Sequence, residues 1–243
     1  MKIILIRLEA PLISFGAPIV DRYGTVQPYP AQSMITGMVG NALGYSHGDT
    51  DALERLQKRL QYASRRDRTG TRKQDYQTVD LGSDYMDDDL AWTTRGELQT
   101  RKGGSASSGT HIRLRDYWAD AAHTVALTLS PAGESPSFDT VADALQQPER
   151  PLFIGRKTCL PSRPMYLGRM AAESLVEALR RAPLADDADS EEQLDAWWPA
   201  NEPGADGALP VTDERDWENQ IHVGERWIAS GKIDITPEEV SYV

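Results

Sequence analysis

Strand-type and helix-type patterns follow one another irregularly along this chain, and that order restricts its fold more than any other feature. KIILIRL (2–8) alternates Ile and Leu and predicts a buried first strand. A loop with Gly24, Pro28 and Pro30 leads to SMITGMVGNALGY (33–45), where Met34, Met38 and Ala42 recur at helical spacing. Ser33 is placed to cap that helix. DALERLQKRL (51–60) predicts a second helix, capped by Asp49 or Thr50, with Leu53, Leu56 and Leu60 on its apolar side. QYASRRDR (61–68) and QDYQTVDLG (74–82) predict two strands around a turn at Gly70. Within 113–130, VALTL is the clearest core strand. PSFDTVADALQQP (136–148) and AESLVEALRRA (172–182) predict helices ended by Pro148 and Pro183. LFIGRKTCLPSRPMYLGR (152–169) predicts strand, glycine turn and strand, and ERWIASGKIDI (225–235) a last strand or hairpin. Without strict βαβ alternation this order indicates α+β rather than a doubly wound sheet.

Two stretches depart from that plan. Residues 83–112 are polar, with aspartates at 87–89 and KGGSASSG at 102–109. Such a stretch cannot bury a core and reads as an extended hairpin or flexible excursion. Gly37, Gly40 and Gly44 fall inside a helical pattern, where each interior glycine costs about 1 kcal/mol relative to Ala. Glycines there imply that another backbone comes close, either a sheet or an RNA strand.

Charge is unevenly distributed. The formal net charge is −11, yet residues 183–220 alone hold 12 acidic residues against Arg215. The remaining residues balance, with 25 basic and 25 acidic side chains. Within them, Arg55 to Lys73 contains eight basic residues opposed only by Asp67, and 150–169 contains five with no acid. Local rather than net charge sets the field that a phosphate backbone meets. The alternative for both clusters is a solvated surface, and 183–220 is expected to be a surface loop.

Enzyme signatures are missing. The chain has no GxxxxGK[ST], GxGxxG, GxSxG, CxxC or HExxH pattern, and Cys159 is its one cysteine. No cofactor and no metal is expected. His47, His111, His123 and His222 are scattered and predict structural or surface roles. Arg7 and Glu9 break the apolar opening, which favours a buried strand over a leader peptide. No apolar run approaches the roughly 18 residues of a membrane span, so a cytoplasmic, non-membrane protein is expected. Tyr76, Tyr117 and Trp118 are candidate base-stacking residues.

Three ordered segments resemble the CasD subunits of type I-E CRISPR Cascade complexes, within the repeat-associated mysterious protein family. The first is IRLEAPLISFG, running on to YPAQSMITGMVGNALGY (29–45). QDYQTVDLG (74–82) with RDYWADAAHTVALTLS (115–130) is the second, and LFIGRKTCLPSRPMYLG (152–168) the third. Gln32 stands where the family motif has a basic residue, and His123 where a Phe is usual.

The resemblance implies a ferredoxin-like (RNA-recognition-motif-like) domain over 1–182 with a hairpin thumb at about 83–112, followed by an acidic segment and C-terminal strand extension over 183–243. It implies antiviral defence as a non-catalytic subunit that binds the 5′ handle of the CRISPR RNA. Such a subunit caps CasC-type backbone subunits, touches a CasA-type large subunit, and meets target DNA through the assembled complex. RNA-binding residues are expected at Gln32, Ser33, Gly37, Tyr76, Arg113, Arg115, Arg156 and Lys157. Ser33 would offer the N-terminal amides of a helix to a phosphate, Arg156 and Lys157 would reach phosphates from a glycine turn, and Arg113 and Arg115 would stand at the thumb's base. One alternative, after the type I-C relative, is a metal-independent endoribonuclease of precursor CRISPR RNA, using Tyr45 or Tyr76 with His111 and Lys102. Another is a protein-interaction scaffold without RNA contact.

Overall fold

The computed structural model describes residues 1–17, 19, 22–80, 90–92, 98–100, 110–190, 192–205 and 207–237. The first half of the chain contains β1 (Lys2–Ile13), β2 (Tyr23–Gly24), α1 (Gln32–Ala42), α2 (Thr50–Arg59), β3 (Leu60–Arg68), β4 (Thr71–Asp80), β5 (Leu90–Trp92), β6 (Leu98–Thr100) and β7 (Thr110–Leu129). There follow α3 (Phe138–Gln146), β8 (Tyr166–Ala171), α4 (Leu175–Arg181), β9 (Gln193–Pro199), β10 (Leu209–Val211), β11 (Glu214–Asp216), β12 (Ile221–Val223) and β13 (Arg226–Asp234).

β1 is central because both its edges are paired. It runs antiparallel to β7 on one side and to β8 on the other. Among the described residues the main sheet runs β10-β13-β9-β3-β7-β1-β8, with β2 and β4 also joined to β7. Among the described residues only the short β2–β7 pairing is parallel.

Alternate residues of a strand face opposite sides, and both sides of this sheet are covered. Ile4, Ile6, Leu8, Val125 and Leu127 pack under α1, α2 and α3 with Ile35, Val39, Leu56, Val141 and Leu145. Ile3, Leu5, Ala63 and Ala126 pack on the reverse face with Leu175 and Leu179 of α4, Trp198 and Ile233. Each fully buried Ile or Leu contributes roughly 1.5–3 kcal/mol.

A buried polar knot fastens α4 to the sheet. The β3–β7 register shifts between Arg66 and Arg68, and Asp67 at that irregularity is fully buried. Arg65 Nε donates to Asp67 Oδ1 at 2.6 Å. The same guanidinium binds the carbonyls of Leu179, Ala182 and Pro183, at the end of α4 and just beyond. These carbonyls lie where a helix leaves acceptors unpaired.

Four sequence expectations change. The segment 152–165 is a loop, and only β8 follows as strand. Its apolar residues Leu152 and Ile154 are still buried, but Gly155 at φ +89° turns the chain away from an extended path. The acidic stretch is no simple surface loop, since β9 lies between β3 and β13 with Leu194, Ala196 and Trp198 buried. The N-cap of α1 is Ala31, not Ser33. Asp49 is the N-cap residue of α2 as expected, but its carboxylate accepts from Ser46 instead of from the helix. Within 83–112, β5 pairs with β6 and 110–112 belong to β7. The aspartates 87–89 and Lys102 lie outside the described residues.

Candidate nucleic-acid interface

α1 presents its glycine face to a groove of about 820 Å³. The other walls are the loop after β1, the turn at 153–157 and the β11–β12 hairpin. Ser33, Gly37, Arg156 and Lys157 line this groove, together with Arg150, Arg215, His47 and His222. Among the described residues no Asp or Glu lines it.

Gly155 makes the turn that carries Arg156 and Lys157. A Cβ at this position would lie 1.8 Å from the Ser14 carbonyl oxygen, and the positive φ excludes most side chains in any case. Arg156 then reaches back to β7. Its Nη1 donates to the Asp116 carbonyl at 3.0 Å, and its guanidinium lies 4.6 Å from the Tyr117 ring centroid. Arg115 arrives at the same place. A Cβ on Gly24 would meet Arg115 Nη1 at 2.5 Å and Arg156 Nη2 at 3.0 Å. Arg115 Nη1 is buried and meets no hydrogen-bond partner among the described residues. Asp75 stands opposite Arg115 on β4 and tempers the local charge.

Strand alternation separates the residues of the arm that β4 forms with the first half of β7. Arg113 and Arg115 lie on one face of β7, opposite Gln77 and Asp75. Tyr76 is opposite Leu114, so it belongs to the other face, where it and Tyr23 are exposed. On that face Asp116 accepts from Arg72 and Gln74. Its burial opposes ionisation, but these bonds hold the carboxyl below its usual range.

Gln32 and Ser33 do not present a free helix terminus. The Gln32 amide N–H donates to Asp213 Oδ2 at 3.0 Å, and the Ser33 N–H to the Asp213 carbonyl at 2.9 Å. An internal carboxylate therefore occupies the place expected for a phosphate. Gln32 Nε2 donates to the carbonyls of Gln57 and Leu60, so this side chain is enclosed. The neighbour that Gly37 accommodates is Trp217, 3.4 Å from its Cβ position.

The Arg55 to Lys73 cluster is largely consumed inside the fold. Arg59 donates to three backbone carbonyls, of Pro131, Glu134 and Pro136. Arg65 binds Asp67, Arg66 binds Asp195, Arg68 binds Glu9 and Asp120, and Arg72 binds Asp116. Most of these carboxylates come from distant positions, which a local charge count cannot see. The 150–169 run behaves differently. Arg150, Arg156 and Lys157 reach the groove, while Arg163 and Arg169 pair with Asp186 and with Asp139 and Asp143.

His123 is a core residue. It packs edge-on against Phe15 with centroids 4.8 Å apart, and Ser64 Oγ lies 3.3 Å from its Nδ1. Burial pushes its pKa down to about 3, so the ring is neutral. Only the backbone of His111 is described, within β7. Arg215, His47 and His222 were the groove residues hardest to foresee. The signal for Arg215 was its isolation as the lone cation of 183–220.

Sheet, helices and groove together define a mixed α/β protein with a predominantly antiparallel sheet and a concave cationic face. The chain belongs to the family described as CRISPR-associated protein Cas5, whose model matches residues 3–229. It is 29% identical over 204 residues to the CRISPR system Cascade subunit CasD of Escherichia coli (strain K12), covering 79% of this chain and 82% of that one. A chain of a CRISPR RNA-guided surveillance complex superposes with a TM-score of 0.68 at 28% identity, over 96% of this chain and 90% of that one. A crystal structure of a Cas protein shares the fold, with a TM-score of 0.65 at 24% identity over 96% and 95% of the two chains.

Proposed function

We propose that this chain is a non-catalytic subunit of a type I-E CRISPR RNA-guided surveillance complex, and that its groove holds the 5′ handle of the CRISPR RNA. One observation carries the RNA assignment. In a chain of net charge −11, the groove beside α1 gathers Arg150, Arg156, Lys157 and Arg215 with no described acidic residue in its lining. Phosphates are the anions that such a surface suits.

Within the groove Arg156 and Lys157 form the proposed contact set, with Arg115 beside Arg156, while Ser33 and Gly37 line it with their expected RNA places taken by Asp213 and Trp217. Arg113 and Tyr76 belong to the arm and would meet RNA on its two faces. CasC-type backbone subunits and a CasA-type large subunit are the proposed protein partners, with target DNA reached through the assembled complex.

We read residues 1–182 as a ferredoxin-like domain and 183–243 as its extension. The order β8-β1-β7-β3 supports this, with α1 and α2 between β1 and β3, and α3 between β7 and β8. The thumb reading draws support from β4, which pairs with Thr110–Ala119 of β7, whereas the β1 pairing stops at Trp118.

Replacing Arg156 and Lys157 with Ala removes two charged donors and should weaken binding of a single-stranded repeat RNA by at least tenfold. Fluorescence anisotropy with the full chain measures this, and circular dichroism should show the variant folded, with a modest loss of thermal stability from the Arg156 contacts to Asp116 and Tyr117. The RNA should remain intact after prolonged incubation in EDTA. Unchanged affinity would remove the groove from the RNA path, and cleavage would overturn the non-catalytic assignment.

A further inference from the structure

We infer that Arg215, carried by the β11–β12 hairpin, is a phosphate-binding residue of the groove, so that the C-terminal extension supplies one side of a two-sided clamp on single-stranded RNA. This rests on the reading of the groove as the RNA site and adds a contact from a segment whose composition argues against one.

Residues 183–220 contain one cation among 12 acids, and the fold brings that cation to the groove. Several acids of 183–220 are engaged with other partners. Asp213 is held by Arg226 and by the start of α1. Asp216 accepts from the Asn219 N–H and side-chain amide, both at 2.8 Å. Asp186, Asp189 and Asp195 bind Arg163, Thr69 and Arg66.

Arg215 is also fixed in place. Its N–H donates to Gln57 Oε1 at 3.1 Å, and its carbonyl accepts from Gln57 Nε2 at 3.0 Å. The guanidinium lies 5.5 Å from the Trp217 ring centroid, and one of its amines donates to Gln220 Oε1 at 2.6 Å. Trp217 in turn is seated against Gly37, which sets the hairpin close on α1.

Among the described residues Arg215 forms no ion pair with a carboxylate. Its Nε is buried and meets no acceptor among the described residues. Burial alone moves its pKa, downward from the ordinary arginine value. A half-buried guanidinium whose Nε has no acceptor leaves a donor for an anion that enters the groove. Arg150, Arg156 and Lys157 stand on the 150–157 segment of the same groove, so an RNA backbone lying there meets cations from both units.

The test compares Arg215→Ala, Arg215→Lys and the Arg156→Ala/Lys157→Ala pair in the full chain, using fluorescein-labelled single-stranded repeat RNA over a salt series. Arg215→Ala should weaken binding about tenfold. It should also reduce the slope of log affinity against log salt by roughly 0.7, the value for one phosphate contact on a single strand. Arg215→Lys should restore most of that slope, and the thermal midpoint of Arg215→Ala should not fall. If Arg215→Ala binds RNA with unchanged affinity and slope while the Arg156/Lys157 variant is weakened, the inference is overturned and the groove reading stands. If neither variant loses affinity, both fall. Loss of a protein partner with unchanged RNA binding would reassign Arg215 to a protein contact.

Discussion

His123 illustrates how one buried side chain sets a pH response. The unfolded chain takes up a proton at this ring near its ordinary pKa of 6.5, the folded chain only near 3. Between those values the unfolded state binds more protons, so stability falls as pH falls, by up to ~1.4 kcal/mol per pH unit from this group. Above pH 6.5 the ring is neutral in both states and adds no slope. His123→Phe keeps an aromatic ring against Phe15 and removes the titration. Urea unfolding at pH 7 and pH 5 should show a loss of stability smaller by about 2 kcal/mol in the variant. Equal losses would place the acid sensitivity elsewhere. The sequence marks His123 as a substitution within an apolar strand but cannot say whether the ring is neutral, because Phe15 comes from the loop after β1 and Ser64 from β3. Arg156 and Lys157 were easier to read, since a glycine turn in an acid-free run leaves few carboxylates within reach. Arg65 shows the opposite case, with its partners Asp67, Leu179 and Pro183 assembled by the fold.

Among the elements, the junction of α1 with the extension governs how the groove is built. Asp213 is nearly fully buried, accepts the first amide of α1, and binds Arg226 through both oxygens. Arg226 also donates to the Tyr62 hydroxyl at 2.9 Å. Asp213→Asn leaves Arg226 buried without its carboxylate and should destabilise the chain by about 3 kcal/mol. Adding Arg226→Met should recover part of that loss, because the stranded charge is then gone. Chemical denaturation of the two variants checks this, and an Asp213→Asn chain as stable as wild type would contradict it. The helices and the longer strands β1, β3, β4, β7 and β13 were legible in the sequence, whereas the short β2, β10, β11 and β12 were not. β9 was obscured because its acid-rich surroundings outweighed the alternation of Leu194, Ala196 and Trp198. LFIG reads as a strand in sequence for the converse reason. Its apolar residues are buried, but the Ser14 N–H to Ile154 carbonyl bond and the Gly155 turn hold them as a loop.

At the scale of the whole molecule, segregation of charge reconciles an acidic protein with the proposed RNA site. Carboxylates of 183–220 neutralise arginines outside the groove, while the groove keeps its cations and the extension adds Arg215. The α+β character and the order of the main motifs could be read in advance. The path of the extension across the sheet could not, because long-range strand pairing leaves no local signature. Co-expression of the tagged full chain with its neighbouring CRISPR-associated proteins and repeat array, followed by affinity purification, tests the central claim most directly. The account predicts one discrete guide-length RNA recovered with several partner proteins. Recovery of the chain alone, or with partners but no RNA, would contradict it.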